Sequence, residues 1–203
     1  SENEGSFLVG VAAAETTKSD HIGFVGGVHI DLIKKFEAGY VAGAKAVNPG
    51  VTVDVKYLEE TDLKGFTDPA GGKAAAKAMY DNGADVVFQV AGGSGSGVFD
   101  AAVEAGDGNW AIGVDGDQYA SASADQKPHI LTSMVKHVDT AVIDMITSVS
   151  DTKPLTNYQV YDLAKDGVGY ATSGDFLTQQ VQDDMNKYAD QIKSGDLKVP
   201  TTP

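Results

Sequence analysis

The chain of 203 residues carries 29 acidic side chains against 15 lysines and arginines, a formal charge of −14. That length suits one domain or two small ones, and 42% hydrophobic with 22% charged content argues against intrinsic disorder. The acidity argues against nucleic acid or an anionic membrane as partner, since both need clustered basic residues, and the absence of cysteine removes disulfides, thiolate metal sites and thiol nucleophiles while leaving the compartment open.

Taken in chain order, residues 5–16 are apolar and alanine-rich, with Phe7, Leu8, Val9 and Val11 and no strand before them. Residues 22–25 then read as a strand ending at Gly26-Gly27, and residues 51–58 as a second, rich in β-branched and aromatic side chains. Residues 85–91 end at Gly92-Gly93, residues 110–114 at Asp115, and residues 130–135 at Lys136. Four of these five runs are apolar nearly throughout, as in parallel strands buried on both faces. Helices lie between them. Asp31 is expected to cap a helix through Val47, stopped by Pro49, with Phe36, Tyr40, Ala44 and Val47 on one stripe. Gly39 and Gly43 share a face of it, which permits close packing at roughly 1 kcal/mol each in helix propensity. The next helix has Asp68 as cap, Pro69 at its first position and Gly83 at its stop. A third spans about 97–105 and ends at Gly106.

This alternation predicts an α/β fold, an open parallel sheet with helices on both faces. Beyond Lys136, residues 138–149 have a helical apolar stripe, residues 158–163 and 168–171 read as strands, and residues 176–193 as a last helix with Phe176, Val181, Met185, Tyr188 and Ile192 in line. With the central sheet already complete, the apolar faces of both end segments are expected to need a partner layer.

Enzyme motifs are largely missing. The four histidines (His21, His29, His129, His137) have neither HExxH spacing nor surrounding carboxylates, so no metal site is expected. Residues 93–97, Gly-Ser-Gly-Ser-Gly, put glycine where a nucleophile elbow needs serine, and no P-loop lysine follows. What remains is a set of loops at the carboxyl ends of parallel strands, where open α/β sheets bind ligands. Four glycines between 92 and 97 can turn backbone N–H groups toward a ligand, or simply make a tight turn. Asp115 and Asp117 end one strand, and a carboxylate there can accept hydrogen bonds from neighbouring sugar hydroxyls. Lys136 can pair with Asp115 or donate to a ligand, and Phe36 can stack on a planar ring or sit in the core.

A set of ordered motifs goes further: Ile22-Gly-Phe-Val-Gly-Gly27, Lys35-Phe-Glu-Ala-Gly-Tyr40, Phe66 with Asp68-Pro69, Val90-Ala-Gly-Gly93, Ile112-Gly-Val-Asp-Gly-Asp-Gln118, Ser133-Met-Val-Lys136, and Ile192-Lys-Ser-Gly195 with Val199-Pro200. In these, over nearly its whole length, the chain resembles the basic membrane protein family. These are the substrate-binding lipoproteins of ABC importers that include purine-nucleoside receptors, two-lobed folds of the type I periplasmic-binding kind. The resemblance implies that most of the first lobe is missing. Residues 1–18 would be the first lobe's last helix, 19–136 the complete second lobe, and 137–203 the crossover helix and closing elements of the first.

By the same resemblance, Phe36 packs on the nucleobase, the backbone of Gly92 and Gly93 approaches the ligand, and Asp115 holds ribose hydroxyls with Lys136 beside it. Asp117 and Gln118 are second-rank candidates in the same motif. The implied ligand is a purine nucleoside, weakly or not at all bound by this fragment. The implied partner is an ABC permease and the implied location an extracytoplasmic, lipid-anchored one, with no cofactor and no catalysis. Exposed first-lobe elements carrying Phe7, Leu8, Met145, Ile146, Phe176 and Tyr188 would favour a homodimer or domain swap. The alternatives are a sugar or other small solute on the same fold, or an intracellular ligand sensor; a nucleoside hydrolase would need an aspartate cluster that the chain lacks.

Overall fold

The computed structural model describes residues 1–203. In chain order the elements are α1 (Glu2–Thr16), β1 (His21–Val28), α2 (Asp31–Val47), β2 (Thr52–Glu59), α3 (Pro69–Asp81), β3 (Val86–Val90), α4 (Gly95–Ala105), β4 (Trp110–Asp115), the single turn α5 (Gln118–Ser121), β5 (Ile130–Lys136), α6 (Val138–Ser150), β6 (Val168–Tyr170) and α7 (Gln179–Ser194). A short 3-10 turn, Leu63–Phe66, precedes α3. The strands form one sheet in the order β2-β1-β3-β4-β5-β6. All neighbours are parallel except β6, which runs antiparallel to β5. The order reverses between β1 and β3, the switch point at which such sheets open a crevice.

Alternation along the strands supplies two cores. Ile22, Phe24, Phe88 and Ile112 face α1, α2 and α7, while Val25, Val87 and Ala111 face α3 and α4. β3 is buried along its whole length, and β2, an edge strand, is half exposed. The expected boundaries hold at α3, where Asp68 caps by accepting from Gly71 N at 2.9 Å and Pro69 follows. At α2 they shift: Ile30 stands at the cap position without a side-chain bond, and Asp31 lies inside the first turn, where it meets the positive end of the helix dipole instead. α4 begins at Gly95, two residues earlier than expected.

The end segments correct the sequence reading most. α1, β6 and α7 belong to the same core as the sheet. α1 is apolar on every side and is buried on every side from Gly5 to Ala14. Phe7 and Leu8 are therefore core residues rather than a free face. Tyr188 sits edge-on to Phe7 with ring centres 5.4 Å apart and donates to Ala46 O. Phe176 lies outside α7 and packs on Trp110, ring centres 4.9 Å apart. Residues 158–163 form no strand. There Glu4 Oε2 takes the N–H of Leu163 and Asp162 turns the chain. Only α6 matches the expectation of an unpartnered face, for it has no buried residue, and Val138, Val142, Ile143, Met145, Ile146 and Val149 are all exposed.

α1 and α2 touch backbone to backbone. A Cβ on Gly39 would lie 2.1 Å from Asn3 O, one on Gly43 2.0 Å from Phe7 O, and one on Gly10 2.2 Å from Tyr40 O. Gly43→Ala is therefore expected to lower the urea midpoint by an amount equivalent to about 1–3 kcal/mol, although the same change in an open helix would raise stability by about 1 kcal/mol. Tyr40 points its hydroxyl into this core without a partner, and burial pushes that phenol well above the usual tyrosine range. Tyr40→Phe is expected to raise the denaturation midpoint by an amount equivalent to about 1 kcal/mol, because the desolvated hydroxyl gains nothing in return.

Candidate functional site

A cleft of about 180 Å³ opens beside the switch point, lined by Leu32, Ile33 and Phe36 from α2, Phe66 from the turn before α3, Val90 and Gly92 after β3, Val114 and Asp115 at the end of β4, and Lys136 at the end of β5. Four of the residues singled out in the sequence thus converge from four separate elements. Lys136 Nζ lies 3.1 Å from Asp115 Oδ1 and 4.8 Å above the centre of the Phe36 ring. It also lies 3.7 Å from Glu2 Oε1 on α1. The ammonium therefore covers both the ring and the carboxylate. Phe36 is only 2% exposed, so it is at once a core residue and a wall of the cleft.

Asp115 carries a left-handed backbone, φ 69°, a conformation that aspartate tolerates better than most side chains. That turn lifts its carboxylate off the strand into the mouth of the cleft, where it is largely exposed. Gly92 is likewise left-handed, φ 55°, and packs near Phe66. The other glycines of this loop serve the fold. Gly95 leaves room for the Gln89 side chain, Gly97 for Pro69 O, and Gly93 lies near Phe66 O without lining the cleft.

Asp117 and Gln118, the second-rank candidates, turn away from the cleft. Asp117 accepts from Ser173 Oγ and so ties the β4 loop to the segment after β6. Gln118 Oε1 accepts from Gln89 Nε2 at 2.6 Å and from Val114 N at 2.8 Å, while its own N–H donates to Ser133 Oγ at 3.1 Å. Gln89, fully buried, also accepts from Ala91 N at 3.1 Å. Alongside, Ser94 Oγ accepts from Asp68 N and donates to Gly65 O. These two clusters of polar groups lie under the loops that carry Phe66, Gly92 and Asp115 and tie each loop to its neighbours.

Sequence reasoning missed Phe66, Leu32, Ile33 and Glu2 as parts of this site. Phe66 had a usable signal, an aromatic beside glycine at the end of a loop preceding a capped helix. Glu2 had none, because its approach to Lys136 depends on how α1 crosses the sheet. The histidines are dispersed: His21 pairs with Asp54 and His29 with Glu60, each at 2.9 Å, and His129 meets Asn109 O. No group of three or more metal-ligating side chains comes together, and no helix is long and apolar enough to cross a membrane.

The family described as "ABC transporter substrate-binding protein PnrA-like" matches residues 1–202. A "CD4+ T-cell-stimulating antigen" of Listeria monocytogenes is 40% identical over 214 residues, covering 100% of this chain and 58% of the relative. An "ABC transporter nucleoside-binding protein BmpA" of Lactococcus lactis is also 40% identical, over 98% of this chain and 58% of its own length. Among solved structures, an ABC transporter solute-binding protein of Aeropyrum pernix superposes with a TM-score of 0.80 at 24% identity, covering 98% of this chain and 65% of that one. The chain thus spans little more than half the length of the curated relatives it matches. It belongs to the PnrA-like family of ABC transporter substrate-binding proteins.

Proposed function

We propose that the chain is the larger part of an extracytoplasmic receptor that captures a purine nucleoside and delivers it to an ABC permease. It would contribute one wall of the binding cleft. The observation that carries this reading is the convergence of Phe36, Gly92, Asp115 and Lys136 at the switch-point cleft. A flat base gains from lying on the apolar wall of Phe36, Phe66, Ile33 and Val114, at about 1–3 kcal/mol for stacking on an aromatic ring. A ribose diol offers two hydroxyl donors to Asp115, and backbone at Gly92 admits a close approach.

The same reading accounts for α6. Its bare apolar stripe is a surface for the remaining length that the relatives have and this chain lacks, in a two-lobed protein that closes on its ligand. The chain by itself offers a one-sided cleft, so most of the ligand would stay in water and affinity would be low.

The test is an NMR titration of the 203-residue chain with inosine, ribose and hypoxanthine. Inosine is expected to bind in the millimolar range, with shift changes centred on Phe36, Gly92, Asp115 and Lys136 and larger than ribose alone produces. Phe36→Ala and Asp115→Asn are each expected to weaken it by about tenfold. Shift changes located elsewhere, or ribose matching inosine, would overturn the nucleoside reading. Micromolar affinity in this chain would overturn the one-wall account.

A further inference from the structure

The pairing of β3 with β4 stops short of the site. Its last partners are Phe88 and Ile112, while β4 stays beside β5 as far as Asp115. Past Ile112 the two strands part, and the residues beyond, Gly92 and Asp115, line the cleft. Splayed strand ends leave buried N–H groups that need acceptors from elsewhere. Two glutamine side chains supply them. Ala91 N–H, just past the end of β3, donates to Gln89 Oε1 at 3.1 Å, and Val114 N–H near the end of β4 donates to Gln118 Oε1 at 2.8 Å. Gln89 Nε2 donates to the same Gln118 oxygen at 2.6 Å and closes the bridge.

The bridge runs in one direction only. Both of its ends meet backbone N–H donors, so each glutamine turns its oxygen to the backbone, and Gln89 has its amino group left to donate across. Glycines make room for it. A Cβ at Gly95 would run into the Gln89 amide, and one at Gly113 would lie 2.8 Å from Gln118 Oε1. Gln118 is rooted in the next strand, its own N–H donating to Ser133 Oγ at 3.1 Å, and both Gln89 and Ser133 are fully buried. Continued strand pairing would satisfy Val114 N–H equally well, but it would draw β4 to about 4.8 Å from β3 and close the crevice. The side chains satisfy the same groups across a wider gap.

We infer that Gln89 and Gln118 are positioning residues, a side-chain strut that replaces the missing rungs of the sheet and sets how far Asp115 stands from Gly92. The inference rests on the nucleoside reading for the identity of the ligand, and the strut itself depends on no ligand. Neither glutamine lines the cleft. The strut acts through the carboxylate that anchors the diol and leaves the apolar wall of Phe36, Phe66 and Ile33 as it is.

The first test needs no ligand. Gln118→Met keeps the length of the side chain and removes its oxygen. Amide hydrogen exchange of the 203-residue chain is expected to quicken by about tenfold at Val114, with residues 86–88 and 110–112 unchanged. Gln118→Glu keeps an oxygen for both donors and is expected to restore protection at Val114. Unchanged exchange at Val114 in Gln118→Met, faster exchange throughout the sheet, or no restoration in Gln118→Glu would overturn the inference. The second test is titration with inosine and with hypoxanthine, which lacks the diol. Gln118→Met is expected to weaken inosine binding by about fivefold and hypoxanthine binding by less than about twofold. Equal losses would mark the strut as merely structural and overturn the inference, as would no loss of inosine binding. If the native chain binds neither compound while exchange behaves as expected, the nucleoside reading fails and the strut stands.

Discussion

The backbone contact between α1 and α2 governs the geometry of everything above it. Gly10, Gly39 and Gly43 let two helices approach until a carbonyl of one occupies the place of a side chain on the other. This closeness fixes the rotation of α2, and with it the direction in which Phe36 leaves the helix. It also fixes the height of α1 and therefore the reach of Glu2. Phe36, whose ring the Lys136 ammonium covers, is thus placed by glycine hydrogens rather than by side chains. The helix-propensity cost of three glycines in two helices is offset by the apolar surface that the seam seals, including Phe7, Val11 and Tyr40.

Above that seam the molecule relies on polar groups inside the core. Gln89, Gln118 and Ser133 would be liabilities if any bond among them were missing, but each finds a partner. Gly113 leaves the space they need, since a Cβ there would lie 2.5 Å from Ser133 Oγ. The arrangement resembles a keystone set under three arches. Each loop alone is short and free to vary, while the shared amides hold their tips in one relation. Rigid support of this kind is what a binding wall needs if a ligand is to be recognised without reorganising the protein first.

The positions of the first five strands and the helices between them were largely legible in the amino-acid pattern, because buried parallel strands write themselves as unbroken apolar runs and Asp68-Pro69 announces a helix start. The cleft was legible in outline for a related reason: strand ends are easy to find, and topology brings them together. The ends of the chain were not legible. An Ala-rich helix apolar on all sides looks the same whether it lacks a partner or is enclosed by several, and only the tertiary fold distinguishes the two. The roles of Asp117 and Gln118 in holding the loop were not legible, because a motif in sequence does not show which way each side chain points after the left-handed turn at Asp115. α6 was read correctly since a regular stripe of Val, Ile and Met on an otherwise polar helix is the signature of a face awaiting contact.

The left-handed backbone of Asp115 has a bearing on how such receptors diversify. Only glycine, asparagine and aspartate occupy that region at low cost. Replacing Asp115 by glycine or asparagine therefore discards the side chain or the charge while keeping the turn, whereas a bulky or branched group there adds backbone strain. Leu32, by contrast, has an ordinary helical backbone and an exposed side chain at the rim of the same cleft.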